Sequence, residues 1–208
     1  ILKKEELIAV ADCACRVQKK VFDRACDSPM EVCMMVGPMA EYYLENKMGR
    51  QITLEEAMRI TRESNEAGLV TQTQSVTRPF MICNCCKCCC GFLGAQRRTP
   101  FPGKLVISNH MAVIKADQCS GCEICPEYCQ TEAITMNAEG IAEINYDRCI
   151  GCGLCISSCP DDALSLIAKP DKVHNAPMKT LHEQLASEAE KRLNTKLEKN
   201  QVVDFGFN

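Results

Sequence analysis

The chain has 208 residues, 18 of them Cys and none Trp, and a formal net charge of −3. That charge excludes a surface that is basic as a whole and drawn to nucleic acid, and no apolar run approaches the roughly 20 residues that cross a bilayer as a helix. The cysteines stand in CxxC, CxC and adjacent pairs, spacings that suit metal ligation better than the disulfide framework of a short secreted domain.

The chain opens on Ile1 rather than Met, so a leader or an upstream domain is expected to be missing. No secretory signal is visible, and the expected location is the cytoplasm. Residues 5–13 alternate as a strand that leads into Cys13-Ala14-Cys15-Arg16. Arg16 is a candidate partner for a metal cluster or a carboxylate, against the ordinary reading of an exposed arginine. Cys26 and Cys33 follow singly, and for isolated cysteines a buried small hydrophobe stands beside ligation as a reading. Over 31–48, Val32, Met35, Val36, Met39, Ala40, Tyr43 and Leu44 share one helical stripe, broken at Gly37-Pro38. Thr53-Leu54-Glu55-Glu56 is a capping box, with Thr53 at the N-cap and Glu56 at N3. The helix it opens is expected to end near Gly68, a glycine placed just past the C-cap.

Six cysteines then crowd into one segment: Cys83, Cys85, Cys86, Cys88, Cys89 and Cys90. So many neighbouring thiols cannot all point into a core, and left free they would oxidise. Together with Cys13, Cys15, Cys26 and Cys33 they form a set of candidate metal ligands that folding must bring together. Cys13 and Cys15 are the expected partners of the 83–90 segment. Residues 1–95 are read as a cysteine-rich, mainly helical domain. Gln96-Arg97-Arg98-Thr99-Pro100-Phe101-Pro102-Gly103 reads as a linker, taken as 96–107.

Beyond it lies an internal repeat at an offset of 30 residues. The first copy runs Asp117, Cys119, Gly121-Cys122, Cys125, Cys129, Ala133, and the second Asp147, Cys149, Gly151-Cys152, Cys155, Cys159-Pro160, Ala163. Both read C-x2-C-x2-C-x3-C, the bacterial ferredoxin spacing in which the fourth Cys of each run ligates the other run's cluster. One [4Fe–4S] cluster is therefore assigned Cys119, Cys122, Cys125 and Cys159, and a second Cys149, Cys152, Cys155 and Cys129. Paired zinc sites fit a doubled three-Cys loop poorly. Gly121 and Gly151 would let backbone N–H groups approach the anionic sulfurs. The fourth Cys is expected to open a helix, with Pro160 in its first turn and Gln130 as a looser counterpart. Short strands are expected at 111–115, 133–137, 141–145 and 164–168.

Residues 108–169 thus resemble bacterial dicluster ferredoxins, which implies a small α+β ferredoxin fold and electron transfer. The upstream residues resemble a family of anaerobe iron–sulfur proteins with the pattern C-x-C-R, two spaced cysteines, E-A-G-L-V and I-C-N-C-C-x-C-C-C. Here these are Cys13 to Arg16, Cys26 and Cys33, Glu66 to Val70, and Ile82 to Cys90. That resemblance implies a shared architecture, with one or two further iron–sulfur clusters on the early cysteines, rather than a defined reaction. Residues 170–208 read as a helical tail, with Leu181, Leu185, Ala189, Leu193 and Leu197 spaced by four, followed by apolar Val202-Val203-Asp204-Phe205-Gly206-Phe207. Such a tail suits a partner groove.

The chain carries no nucleotide-binding glycine fingerprint, no P-loop and no H-E-x-x-H, and His110, His174 and His182 cluster with nothing obvious. The expected role is an electron-transfer subunit of a larger oxidoreductase, in a hetero-oligomer with other redox subunits or a redox partner protein. Two alternatives are a reductase with an open iron in the N-terminal half, and a redox sensor that rearranges the 53–70 helix.

Overall fold

The computed structural model describes residues 1–169 and 177–199, with no side chains described for 191–199. The N-terminal half is built on a five-stranded sheet rather than being mainly helical. Its strands are β1 (Ile8–Asp12), β2 (Glu31–Val36), β3 (Arg50–Gln51), β4 (Val70–Thr73) and β5 (Met81–Cys85), in the order β3-β1-β2-β5-β4 with antiparallel neighbours. Three helices accompany it: α1 (Ala14–Val21), α2 (Pro38–Glu45) and α3 (Leu54–Glu66).

The helical stripe expected over 31–48 is therefore a strand followed by a helix. β2 lies at the centre of a sheet covered on both faces, so consecutive positions Met34, Met35 and Val36 are all buried. A strand buried on both faces reads as a continuous apolar run, which a helical stripe can imitate. The break falls at Gly37, whose φ of +56° turns the chain, with Pro38 opening α2. Side chains alternate across the sheet. Ile8, Val10, Val32, Met34, Val36 and Ile82 pack with Ala57 and Ile60 of α3, while Ala9, Ala11 and Met35 pack with Ala40 of α2. Thr53 caps α3 by accepting the Glu56 N–H at 3.2 Å. The helix closes where expected: Gly68 at φ +74° donates to Asn65, and the Leu69 N–H donates to Ser64, each at 2.9 Å. Those two bonds satisfy carbonyls of the last turn.

The C-terminal half pairs β6 (His110–Ile114) with β9 (Leu164–Ala168), and β7 (Ile134–Met136) with β8 (Ala142–Ile144), both antiparallel. Two short helices, α6 (Ile124–Tyr128) and α7 (Leu154–Ser157), stand 30 residues apart. The repeat is written in the backbone as well as in the side chains. Positive φ recurs at Gly121 and Gly151, at Glu123 and Gly153, and at Glu132 and Asp162.

The segment expected as a linker is structured. It holds the end of α4 (Gly91–Arg98) and α5 (Pro102–Leu105). Pro102 and Gly103 are buried, and the Gly103 N–H donates to Asp147 at 2.7 Å. A Cβ on Gly103 would meet three backbone carbonyls of 146–149 within 2.9 Å, so only glycine fits. Arg97 pairs with Glu132, and Arg148 donates to the carbonyls of Thr131 at 2.8 Å and Arg97 at 3.2 Å. The two halves are thereby joined across a packed junction.

In the tail, α8 spans Leu181–Lys199. Just before it, residue 178 exchanges backbone hydrogen bonds with 75 and 77 at 2.9 and 2.8 Å. The apolar stretch 202–207 lies outside the described residues. Among the described residues no helix is long and apolar enough to cross a membrane.

Candidate metal centres

In the C-terminal half, three cysteines of each run curl around one end of a short helix, and the fourth reaches across. One hollow is lined by Cys119, Cys122, Cys125 and Cys159, with Ile114, Met136 and Leu164 as apolar wall. A second is lined by Cys149, Cys152, Cys155 and Cys129, with Ile134, Ile144 and Ile150. Each four-cysteine set thus combines one run with the last Cys of the other. The third Cys of each run lies inside its helix. The fourth comes after the helix end, Cys129 as the C-cap of α6 and Cys159 one residue past the C-cap of α7. The expectation that it opens a helix is corrected accordingly: Pro160 lies after a helix it cannot continue, where its missing N–H costs nothing.

Gly121 and Gly151 have a second reason beyond access to sulfur. Both have positive φ, and a Cβ would fall 2.7 Å from the Gly140 carbonyl oxygen at Gly121 and 2.1 Å from that of His110 at Gly151. The loops press onto neighbouring backbone, and that closeness shapes each cavity. A backbone donor reaches one sulfur, the Ala133 N–H to Cys129 Sγ at 3.1 Å. Burial, with repulsion from neighbouring thiolates, pushes the Cys125 thiol up to about 11 and the Cys155 thiol up to about 12. Loading a metal centre here must therefore release protons. Four thiolates in an apolar pocket with one inward N–H donor suit the chemistry of an iron–sulfur cube, which is anionic and soft.

The ten earlier cysteines divide between the two faces of the N-terminal sheet. Met34 pairs with Ile82, so Cys33 and Cys83 are cross-strand neighbours on the face opposite those two. The thiols of Cys33 and Cys85 both donate to Cys83, holding it down to about 4, against burial. Cys85 likewise donates to Cys90, which is held down to about 6 despite burial. Cys15, pushed up by burial, feels the charges of Cys90, Cys13 and Cys83. Cys15, Cys33, Cys83, Cys85 and Cys90 therefore form one connected thiol group. Of the expected early partners, Cys15 faces it, and Cys13, which also packs against the core of the opposite face, lies near Cys15 and Cys33.

On that opposite face stand Cys26, Cys86, Cys88 and Cys89, whose four sulfurs all lie within 4.8 Å of one another. Cys26, in the loop between α1 and β2, is brought to the 86–89 turn by the sheet. Arg16 lies beside them and is 0 % exposed, so the surface reading of this residue is overturned. Its guanidinium donates to the carbonyls of Pro29 at 2.9 Å and Asn84 at 3.1 Å.

Two contributions escaped sequence reading. Asn84 is buried between Cys83 and Cys85 in the chain and ties β5 to its neighbours, donating to Val32 at 2.9 Å and accepting from Thr71 at 2.9 Å. Gln130, which stands where the second copy has Pro160, accepts the Lys87 N–H at 2.8 Å and links the cysteine-rich turn to the repeat. The departure of the first copy from the proline pattern was the available signal. The junction itself is apolar: Val70, Cys85, Cys90 and Leu93 of one half pack with Ile150 and Leu154 of the other.

Residues 112–166 match the family model of the 4Fe-4S dicluster domain. No curated protein is matched by the chain. Residues 112–166 are a ferredoxin-type dicluster domain, which supports an iron–sulfur electron-transfer role.

Proposed function

We propose that this chain is an electron-relay subunit in which two [4Fe–4S] clusters are continued by a third in the N-terminal half. Cys119, Cys122, Cys125 and Cys159 hold one cluster, Cys149, Cys152, Cys155 and Cys129 the next. The third is carried by the group Cys15, Cys33, Cys83, Cys85 and Cys90. When bound, such clusters supply one-electron transfer at potentials set by charge, burial and hydrogen bonds to sulfur. The chain's own part is to hold the thiolates, aim N–H groups such as that of Ala133 at them, and exclude water with Ile114, Ile134 and Ile144.

The observation that carries the relay is the apolar junction. Cys85 and Cys90 pack in the same cluster of side chains as Ile150 and Leu154, which flank Cys149 and Cys155. A third centre there would sit next to the second across a dry contact, as a wire requires. The upstream motif family is the natural home for this arrangement, and a larger oxidoreductase is its natural setting, since neither flavin nor nucleotide motif accompanies the thiols. Anaerobic purification followed by iron analysis and electron paramagnetic resonance tests the reading. About twelve irons per chain are expected, with magnetic interaction between reduced centres. A Cys33/Cys83 double substitution should remove about four of them and leave the ferredoxin signals. Only about eight irons in the parent protein, unchanged in the double variant, would remove the third centre.

A further inference from the structure

The thiols on the other sheet face form a different kind of site. The contacts are 3.6 Å between Cys26 and Cys86, 3.7 Å between Cys26 and Cys89, and 3.8 Å between Cys88 and Cys89. A tetrahedral ion with metal–sulfur bonds of about 2.3 Å places its four sulfurs about 3.8 Å apart along each edge. In a cube, by contrast, each thiolate sits outside a separate iron, and the cube's full width keeps the sulfurs apart. The molecule contains its own control. Among the described residues this is the one group of metal-binding side chains drawn so closely together; neither ferredoxin set is.

Arg16 supplies an independent observation. It is fully buried in the first turn of α1, where the helix dipole disfavours a cation. Its two acceptors are backbone carbonyls, and its Nε has no hydrogen-bond partner. The Cys26 and Cys86 thiols lie close to this side chain. A buried cation without an opposite charge costs several kcal/mol. Four neutral thiols offer no such charge. Four thiolates around one divalent ion carry a net charge of minus two, and the guanidinium then becomes the group that makes the anionic site tolerable.

We infer that Cys26, Cys86, Cys88 and Cys89 bind a single tetrahedral thiolate-held divalent ion, zinc or mononuclear iron, separate from any iron–sulfur cluster. The site fastens the loop before β2 to the turn after β5, and so pins the cysteine-rich turn without adding a step to the relay. Tetrahedral all-sulfur coordination is the geometry both ions accept.

The test uses the full chain, purified anaerobically and analysed for zinc and iron, with X-ray absorption at each metal edge. One ion per chain is expected with four sulfur neighbours at about 2.3 Å and no second metal nearby. A zinc edge of this form, or a one-iron component of this form, tells the two fillings apart. Cys88 is exposed, so Cys88→Ala opens no core cavity. It should weaken retention against a chelator by more than about tenfold, with cluster iron unchanged, and Cys88→His should restore it. Cys26→Ala should behave as Cys88→Ala does. The inference is overturned if the parent chain holds neither ion in this form. It is equally overturned if both alanine variants retain the ion, or if they lose cluster iron instead. Since the relay is read from cluster iron and this site from an isolated ion, either can fail alone.

Discussion

The two halves of the molecule gather their cysteines by opposite means. In the ferredoxin half the cysteines are close in sequence, and the loop carries its own shape. Three cysteines succeed one another at fixed spacing, and only the fourth is borrowed from the other copy. In the N-terminal half the cysteines are scattered from 13 to 90, and a five-stranded sheet sorts them by the alternation of its strands. Neighbouring cysteines of the 83–90 segment consequently fall into two groups on two faces. Local loops make a site that survives as a motif; a sheet makes a site that exists only when the whole half is folded.

The contrast is broken most severely at Gly151. Its φ is +66°, and a Cβ there would meet the His110 carbonyl oxygen at 2.1 Å. Gly151→Ala should abolish assembly of the second ferredoxin centre, read as the loss of about half the ferredoxin iron. Gly153→Ala is the matched control. Its φ is +82°, yet nothing lies within 4 Å of its Cβ, and the first copy tolerates Glu123 at the equivalent place. It should cost only about 1–2 kcal/mol and keep its iron. Equal damage from both would show that left-handed backbone, rather than the close approach, governs the loop.

Next in size is the exchange of ligands between copies. Cys129→Ser should perturb the centre held by the 149–155 loop, and Cys159→Ser that of the 119–125 loop. Electron paramagnetic resonance of each reduced variant distinguishes the centres. Damage confined to the mutated run would defeat the crossed assignment. At the junction, Leu154→Ala removes a side chain packed against Leu93, Cys85 and Cys90, and should destabilise by about 2–5 kcal/mol in denaturant unfolding. If the halves unfold independently, the loss should be confined to one transition, and the junction would be a contact rather than a shared core. Gln130→Ala sharpens the same question more gently. Losing its bond to the Lys87 N–H should cost about 1 kcal/mol, without loss of iron.

This difference also explains how legible each half was. The 30-residue offset, the two four-cysteine runs and the four strands of the ferredoxin half could be read directly, because these features are written in spacing along the chain. The sequence puts a helix start at Cys159 whereas α7 ends before it, since Pro160 fits a helix start and a helix stop equally well. In the N-terminal half the thiol count was legible but the grouping was not. Which face Cys33 or Cys86 occupies depends on strand register, and register is set by pairing between residues far apart in sequence, such as Met34 with Ile82. The burial of Arg16 was invisible for the same reason: its acceptors at Pro29 and Asn84 arrive from other elements.

The smallest effect on the metal sites is expected at the C-terminal helix. Every cysteine lies before residue 160, and the segment ahead of α8 is already anchored through the backbone bonds of residue 178 to residues 75 and 77. Removing residues 181–208 leaves that anchor in place and takes away only α8 and the nine residues 200–208. Leu185 on this helix is 55 % exposed, so the deletion uncovers little core. Iron content and the unfolding midpoint should therefore stay close to those of the full chain. Docking is the property that should change: an amphipathic helix with exposed leucine can bury an apolar face against a redox partner, and that burial offsets the entropy of ordering a terminus. Electron delivery to a low-potential acceptor protein should slow on deletion, while reduction of the clusters by dithionite should not. A loss of iron on truncation would instead make α8 part of the structural core. Unchanged delivery would mean that the partner reads another surface, the exposed rims at Cys122 and Cys152 being the nearest to the metal.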